Sequence, residues 1–181
     1  MSDTEYIDKS EKIKKPNWDV YYLTIAFAAA RRSIDPSTKH GCVIVSLDNR
    51  VLSIGYNGPI KGADDSSLPL ERPQRYWAWI HAEENALLAY SGSQQDIIGA
   101  TAYVTGQPCH KCLRMIIQKG LSRVVFCDTP STKSVMMNEE EQAACRLVMS
   151  YRKQFVVDHI DSKEIVYNIS HMVLHASGSE R

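Results

Sequence analysis

Apolar and polar positions along the chain follow two periods, and each period predicts one kind of element. The segment VYYLTIAFAAARR, which follows Asn17, has its apolar positions on one face of a helix. We expect this helix to end before Asp35-Pro36, because the residue before a proline avoids the helical conformation. The runs GCVIVSLDN and RVLSIGYNG are rich in β-branched residues and meet at Asp48-Asn49, which predicts a β-hairpin.

The rest of the chain alternates between helical and extended patterns. Residues 59–75 are rich in Pro, Gly, Ser and Asp and form a long loop in this interpretation. The remaining expected elements are helices over His81–Tyr90, Pro108–Gly120 and Glu139–Tyr151, and strands over Thr101–Thr105, Leu121–Phe126, Phe155–Asp158 and Ile165–Ile169. This order predicts a mixed sheet covered by helices. We expect one domain over residues 17–170, a flexible segment over 1–16 and a tail over 171–181.

Composition narrows the choice of partners and of compartment. The formal net charge is zero, which argues against a nucleic acid polymer as partner. The longest apolar run, Ala26–Ala30, is too short to span a membrane, and the N-terminal residues lack the apolar core of a secretory signal. Five cysteines, an odd number, fit reduced or metal-binding thiols better than a disulfide framework. We therefore expect a cytoplasmic protein.

Two short segments carry metal-binding and acid–base side chains, and each opens a predicted helix. They are His81-Ala82-Glu83 and Pro108-Cys109-His110-Lys111-Cys112. Cysteines three positions apart share a helix face, so both can reach one ion, and a histidine completes the N/S donor set that selects zinc. Three protein ligands leave the fourth position open for water, and Glu83 is placed to carry protons. Because residues 59–80 contain neither Cys nor His, we expect one zinc ion per chain.

Less specific interpretations of these motifs remain open. A single CxxC pair is more often typical of a redox site or a structural zinc site, and His110 would be the fourth ligand of the latter. The combination of H-x-E with P-C-x-x-C, however, is the signature of zinc-dependent deaminases. We therefore favour a deaminase site.

From about Trp18 to Tyr151 the sequence resembles deoxycytidylate (dCMP) deaminases. Besides the two metal-binding segments, the matching stretches are Arg32-Ser33-Ile34-Asp35-Pro36-Ser37-Thr38, Gly41-Cys42-Val43-Ile44-Val45 and Gly55-Tyr56-Asn57-Gly58. The resemblance implies an α/β protein with the three-layer α/β/α cytidine deaminase-like fold and a central mixed five-stranded sheet. The implied activity is zinc-dependent hydrolytic deamination of dCMP to dUMP with release of ammonia, which supplies dUMP for thymidylate synthesis.

The resemblance also assigns roles to single residues. The expected residues are His81, Cys109 and Cys112 for zinc, Glu83 for proton transfer, Arg32 and Ser33 for the 5′-phosphate, Asn57 for the deoxyribose and base, and Ala82 for substrate binding. Two of these have simpler explanations as well. Arg32 also fits a solvated residue at a helix C-terminus, and Asn57 before Gly58 also fits a turn.

Regulation and assembly follow from the resemblance alone. It implies a homo-oligomer built from dimers, up to a hexamer, with dCTP and dTTP as effectors and Mg²⁺ accompanying a regulatory nucleotide. We place the effector contacts at Tyr56, Gly58 and Asp65. The aromatic segment Tyr76–Trp79 fits core or oligomer packing, or a stacking platform for a second nucleotide.

Gln107 departs from the family pattern and leaves the substrate open. Many dCMP deaminases have a hydrophobic or aromatic residue at this position, immediately before the Pro-Cys pair. The alternative substrates are therefore dCTP or a 5-modified dCMP. A non-catalytic nucleotide-sensing module of the same fold is the other alternative, although the intact Glu83 argues against it.

Overall fold

The computed structural model describes residues 15–64, 67–69, 71, 73–128 and 137–176, with the backbone alone at Tyr76 and over 171–176. The larger elements alternate between helices and strands, as expected. In chain order the elements are α1 (Trp18–Ala30), β1 (Gly41–Val45), β2 (Val51–Tyr56), β3 (Gly58–Pro59), α2 (Arg75–Ala78), β4 (Trp79–Ile80), α3 (Ala82–Ala89), α4 (Gln94–Ile97), β5 (Thr101–Val104), α5 (His110–Lys119), β6 (Arg123–Phe126), α6 (Glu139–Ser150), β7 (Val156–His159) and α7 (Ser162–Ala176).

Five strands form one mixed sheet in the order β2-β1-β5-β6-β7. Strand β1 runs antiparallel to both β2 and β5, whereas β5, β6 and β7 run parallel to one another. Strands β3 and β4 form a separate two-residue ladder in which Gly58 pairs with Ile80. The expected mixed five-stranded sheet is confirmed.

Helices cover both faces of this sheet, because the strands are apolar on both sides. On one face α1 and α7 pack against Val43, Val45 and Val125. On the other face α3, α5 and α6 pack against Ile44, Val124 and their neighbours. The expected three-layer α/β/α architecture is confirmed. Burial on both faces explains why β1 is apolar at every position.

Local signals in the sequence explain where the elements begin and end. Asn17 caps α1 by accepting the backbone N–H of Val20 at 2.8 Å. The hairpin turns at Asn49, which has φ = 63°, a left-handed conformation that asparagine tolerates. Helix α5 ends at Gly120, with φ = 103°, where the absence of a Cβ removes the steric penalty.

The expected strand over Ile165–Ile169 is wrong, since these residues lie within α7. Their β-branched residues favour a strand locally, but Ile165 is buried against the α1 side of the sheet. Asn168 also donates to the hydroxyl of Thr24 on α1 at 3.0 Å. Tertiary packing has therefore overridden local propensity. The domain boundary expected at residue 170 falls inside this helix.

The cysteines outside the two metal-binding segments are buried free thiols. Cys42, Cys127 and Cys145 are each at most 1% exposed. Cys42 and Cys145 lie in the core on the α3 side, and Cys127 lies on the α1 side. Within the described ranges, no helix has both the length and the apolar character needed to cross a membrane.

Candidate active site

The segments that carry the candidate residues meet at one edge of the main sheet. Because β1 is antiparallel to β2 and β5, the start of β1 lies beside the ends of those two strands. Helix α5 begins directly after the end of β5, and α3 begins after the β3–β4 ladder. The N-terminal ends of α3 and α5 therefore lie together at this edge. Two helix N-termini form an environment that favours anionic groups.

His81, Cys109 and Cys112 form a group whose ligand atoms all lie within 4.8 Å of one another. His81 Nδ1 is 3.6 Å from the Cys109 sulfur and 3.4 Å from the Cys112 sulfur. In a tetrahedral site with Zn–S bonds of about 2.3 Å and Zn–N bonds of about 2.0–2.1 Å, the N and S atoms are about 3.6 Å apart. Both the donor set and the spacing therefore fit zinc.

Helix ends explain how these three side chains converge. His81 and Cys109 are the N-cap residues of α3 and α5, and both have extended backbone conformations. Neither side chain makes the hydrogen bond that an N-cap usually makes to its own helix. Instead the His81 ring and the Cys109 sulfur lie within the metal-ligand group, and the Cys112 sulfur completes it from the first turn of α5.

Hydrogen bonds within the metal-ligand group shift the pKa values of its three side chains. A hydrogen bond with the Cys112 thiol, followed by one with His81, lowers the pKa of Cys109 to about 4. A hydrogen bond with Cys109 raises the pKa of His81 to about 9. The pKa of Cys112 is raised, first by its hydrogen bond to Cys109 and then by burial. Because metal binding requires deprotonated ligands, it must release protons from His81 and Cys112.

Glu83 lies beside this group and is 5% exposed. Burial raises its pKa, although the charge of His81 opposes the shift. Positions i and i+2 point about 200° apart in a regular helix. His81 and Glu83 approach each other because His81 precedes the first helical residue. A buried carboxyl with a raised pKa is suited to accepting and returning a proton.

His110 is turned away from the metal-ligand group. Its Nδ1 lies 2.7 and 2.8 Å from the two carboxylate oxygens of Glu141 on α6, and its backbone N–H donates to the same carboxylate at 2.7 Å. Among the described residues the group holds three ligands, and His110 is not one of them. This geometry disfavours the structural zinc site in which His110 is the fourth ligand.

A buried carboxylate organises the loop between α1 and β1. Asp35 Oδ1 accepts the backbone N–H groups of Ser37 at 2.7 Å and Thr38 at 3.1 Å, and Oδ2 accepts from Asn57 Nδ2 at 3.2 Å. Arg75 Nη1 lies 3.4 Å from Asp35 Oδ1 and donates to the Ser37 hydroxyl at 2.8 Å. Both side chains of this ion pair are less than 10% exposed. The Asp35–Arg75 pair thus ties the loop to the segment that leads into α3.

Asn57 is held by the same loop. Its Oδ1 accepts the backbone N–H of His40 at 2.7 Å, and Nδ2 donates to the Thr38 carbonyl at 2.9 Å as well as to Asp35. Both amide hydrogens are thereby used, while Oδ1 keeps one lone pair. The expected contact of Asn57 with the deoxyribose and base stays a prediction, and it would have to use that lone pair or replace one of these bonds.

The other expected substrate residues differ in exposure. Ser33 is 2% exposed and its hydroxyl accepts the backbone N–H of Asp35 at 3.1 Å. Arg32 follows α1 and is exposed, whereas Ala82, the first residue of α3, is fully buried. Their roles at the phosphate and the substrate stay predictions.

Two of the expected effector residues, Tyr56 and Gly58, lie on the β2–β3 segment. The carbonyl of Tyr56 accepts a hydrogen bond from Asn85 of α3 at 2.7 Å, and Gly58 pairs with Ile80 beside the metal-ligand group. Asp65 is outside the described residues. Within the aromatic segment, Trp79 is 9% exposed and Trp77 is 76% exposed.

Three polar residues near the site were not singled out from the sequence. They are His40, Arg75 and Glu141. Burial and the charge of His81 lower the pKa of His40. Its Nδ1 lies 3.4 Å from the Thr105 hydroxyl. Each of the three depends on a contact more than 30 residues away, and no local pattern reports such a contact.

Comparisons with known proteins agree with this geometry. Residues 16–128 match the family model described as the cytidine and deoxycytidylate deaminase zinc-binding region. A deoxycytidylate deaminase of Mus musculus is 36% identical over 137 residues, which cover 72% of this chain and 73% of the relative. A deoxycytidylate deaminase of Mycobacterium phage D29 is 41% identical over 128 residues, which cover 63% of this chain and 97% of the relative.

A solved structure supports the fold. The dCMP deaminase of the cyanophage S-TIM5, in complex with dCMP and dUMP, superposes with a TM-score of 0.59 at 22% identity. The match covers 81% of this chain and 99% of the phage protein. The family-model match spans the sheet edge, the metal-ligand group and Glu83. The chain therefore belongs to the cytidine and deoxycytidylate deaminase family.

Proposed function

We propose that this protein is a dCMP deaminase that converts dCMP and water to dUMP and ammonia. The observation that carries the proposal is the convergence of His81, Cys109 and Cys112 beside the buried Glu83. The relatives named deoxycytidylate deaminase support the choice of substrate.

His81 Nδ1 and the two sulfurs would hold one zinc ion in the proposed site. A bound zinc supplies Lewis-acid activation of a water molecule at neutral pH. Glu83 accepts one proton from the attacking water and delivers it to ring N3. It then takes the remaining proton of that water from the new C4 hydroxyl and delivers it to the amino group, which leaves as ammonia while the C4 carbonyl forms. The N-terminal end of α3, where Ala82 lies, offers backbone N–H groups to an incoming polar group.

The phosphate assignment is part of the same proposal. Arg32 and Ser33 would hold the 5′-phosphate, and Asn57 would contact the deoxyribose and base. Arginine binds phosphate in a bidentate manner and is always charged. Arg32→Ala should therefore raise the KM for dCMP far more than the KM for deoxycytidine, which has no phosphate. Equal effects on both substrates would overturn the phosphate role of Arg32.

A substrate panel tests the proposed reaction. Ammonia release by the zinc-loaded protein is measured with dCMP, dCTP, 5-methyl-dCMP, deoxycytidine and CMP in parallel. Preference for dCMP is the expected result. Preference for dCTP or 5-methyl-dCMP would refute this choice of substrate and direct attention to Gln107, whose side chain is exposed immediately before the metal-binding turn. Nucleotide binding without ammonia release would instead support the nucleotide-sensing module.

Regulation, assembly and location complete the proposal. Activation by dCTP with Mg²⁺ and inhibition by dTTP would act through Tyr56, Gly58 and Asp65. The contact of Tyr56 with Asn85 on α3 supports a connection to the site. We further propose a dimer-based homo-oligomer, which light scattering would measure, and a cytoplasmic location, which the free cysteines support. Activity that is unchanged by either nucleotide would remove the effectors from the proposal.

A further inference from the structure

Helix α6 contacts the turn that carries the first metal-binding cysteine at three points. Glu141 accepts the backbone N–H of His110 and also faces the His110 ring with both oxygens. Four residues further along α6, the buried Cys145 thiol donates to the Pro108 carbonyl at 3.7 Å. These contacts hold the residues on both sides of Cys109.

The chemistry of a helix N-terminus explains why this turn needs outside support. The first backbone N–H groups of a helix have no partner within it, and an N-cap side chain usually accepts one of them. The N-cap of α5 is Cys109, whose side chain is directed to the metal-ligand group and makes no capping bond. Glu141 accepts the N–H of His110, the first residue of α5, which is one of the N–H groups without a partner inside the helix. A carboxylate at this end also interacts favourably with the helix dipole.

We propose that Glu141 and His110 are positioning residues that fix the turn around Cys109 for metal binding, an inference that rests on the proposed zinc site. The Glu141 carboxylate fixes the backbone at position 110, and the His110 ring fixes the carboxylate in turn. The same contact directs the imidazole of His110 toward α6, which keeps it away from the open metal position. Partners one step beyond the metal ligands contribute about 10–100-fold to metal affinity in other proteins.

Zinc affinity measured by chelator competition tests this role. We expect Glu141→Ala to weaken zinc binding by about 10–100-fold. Glu141→Gln keeps one acceptor oxygen, so we expect a smaller loss, and this variant also serves if Glu141→Ala does not fold. The matched control is Glu140→Ala, since Glu140 is exposed in the same first turn of α6 and should leave zinc affinity unchanged.

A second control separates positioning from general stability. Val148→Ala removes core packing of α6 without touching the turn, so it should lower the melting temperature and leave zinc affinity unchanged. The absorption spectrum of the Co²⁺-substituted protein should change in Glu141→Ala and not in Val148→Ala, because it reports the geometry of thiolate ligands. Wild-type affinity in both Glu141 variants, or equal loss in Val148→Ala, would overturn the inference. Absence of zinc binding in the wild type would overturn the proposed function itself.

Discussion

The close approach of strand β2 to helix α3 is tested by replacing Gly55 with alanine. A Cβ at this position would lie 2.3 Å from the Ala82 carbonyl oxygen, 2.3 Å from the Ala86 nitrogen and 2.9 Å from the Ala86 Cα. All three are backbone atoms, so no side chain can rotate away. Since ordinary contacts begin at 3.4 Å, α3 must move by roughly 1 Å, and its first turn carries Glu83.

The size of the effect follows from this overlap. Where space allows, Gly→Ala stabilises a protein by about 0.4–1 kcal/mol. Overpacking a rigid core lowers the free energy of unfolding by about 1–3 kcal/mol. Because the added Cβ overlaps the backbone of two helix residues, we expect Gly55→Ala to lower it by about 3 kcal/mol. For a chain of this size, that corresponds to a decrease of about 6–12 °C in the melting temperature.

Thermal unfolding followed by circular dichroism measures this change. Gly58→Ala is the matched control, because the nearest atom to a Cβ there is 3.9 Å away, in the side chain of Tyr56. Its melting temperature should stay within a few degrees of wild type. We also expect Gly55→Ala to lower kcat, because the shift moves Glu83 relative to the cysteines. A Gly55→Ala protein as stable as the wild type would refute the packing of β2 against α3.

Three further predictions concern buried charge, acid stability and the metal. Asp35→Ala leaves Arg75 without its buried carboxylate and should lower the free energy of unfolding, measured in urea, by about 3–5 kcal/mol. The control is Ile34→Ala at an exposed position, which should lower it by less than about 1 kcal/mol. Partial burial opposes ionisation of Asp19, but hydrogen bonds from Arg123 and Tyr103 outweigh it and lower its pKa. The stability from Asp19 is therefore present above its unfolded pKa and lost as the pH falls through its lower folded pKa, so Asp19→Asn should flatten the acid limb of the stability profile. At a free zinc concentration of about 1,000 times the Kd, bound zinc should contribute about 4 kcal/mol to the free energy of unfolding, and chelation should remove this contribution. An unchanged melting temperature after chelation would contradict the prediction.

Local sequence patterns predicted most of the fold correctly. Helix α1 begins at the capping residue Asn17, and α5 ends at Gly120, where the sequence places a stop. The hairpin turns at Asn49, as its composition indicates. The short elements β3, α2, β4 and α4 were not predicted. Ile165–Ile169 was predicted as the wrong kind of element, because its β-branched residues have the local preference of a strand. Its helical state depends on packing against the α1 side of the sheet, which no local window contains.

The metal-ligand group was predictable because the spacing of its motifs encodes geometry. His81 and Cys109 each open a helix, so their convergence follows once the two helix starts share a sheet edge. The surrounding support was not predictable from spacing. Arg75 reaches Asp35 across 40 positions that include strands β1, β2 and β3, and Glu141 reaches His110 across 31 positions. Such contacts depend on how the layers pack and leave no periodic signal in the chain.

The central claim is that Glu83, beside a three-ligand zinc site, carries the proton in the deamination of dCMP. The most direct test compares ammonia release from dCMP by the zinc-loaded wild type, Glu83→Gln and Glu84→Gln, with zinc content measured in each. Glu84 is the matched control, because it is the next residue of the same helix turn. We expect Glu83→Gln to keep its zinc and lose about 10²–10⁴-fold in kcat, with Glu84→Gln close to wild type. Full activity in zinc-loaded Glu83→Gln, or a zinc-loaded wild type that releases no ammonia from dCMP, would contradict the account.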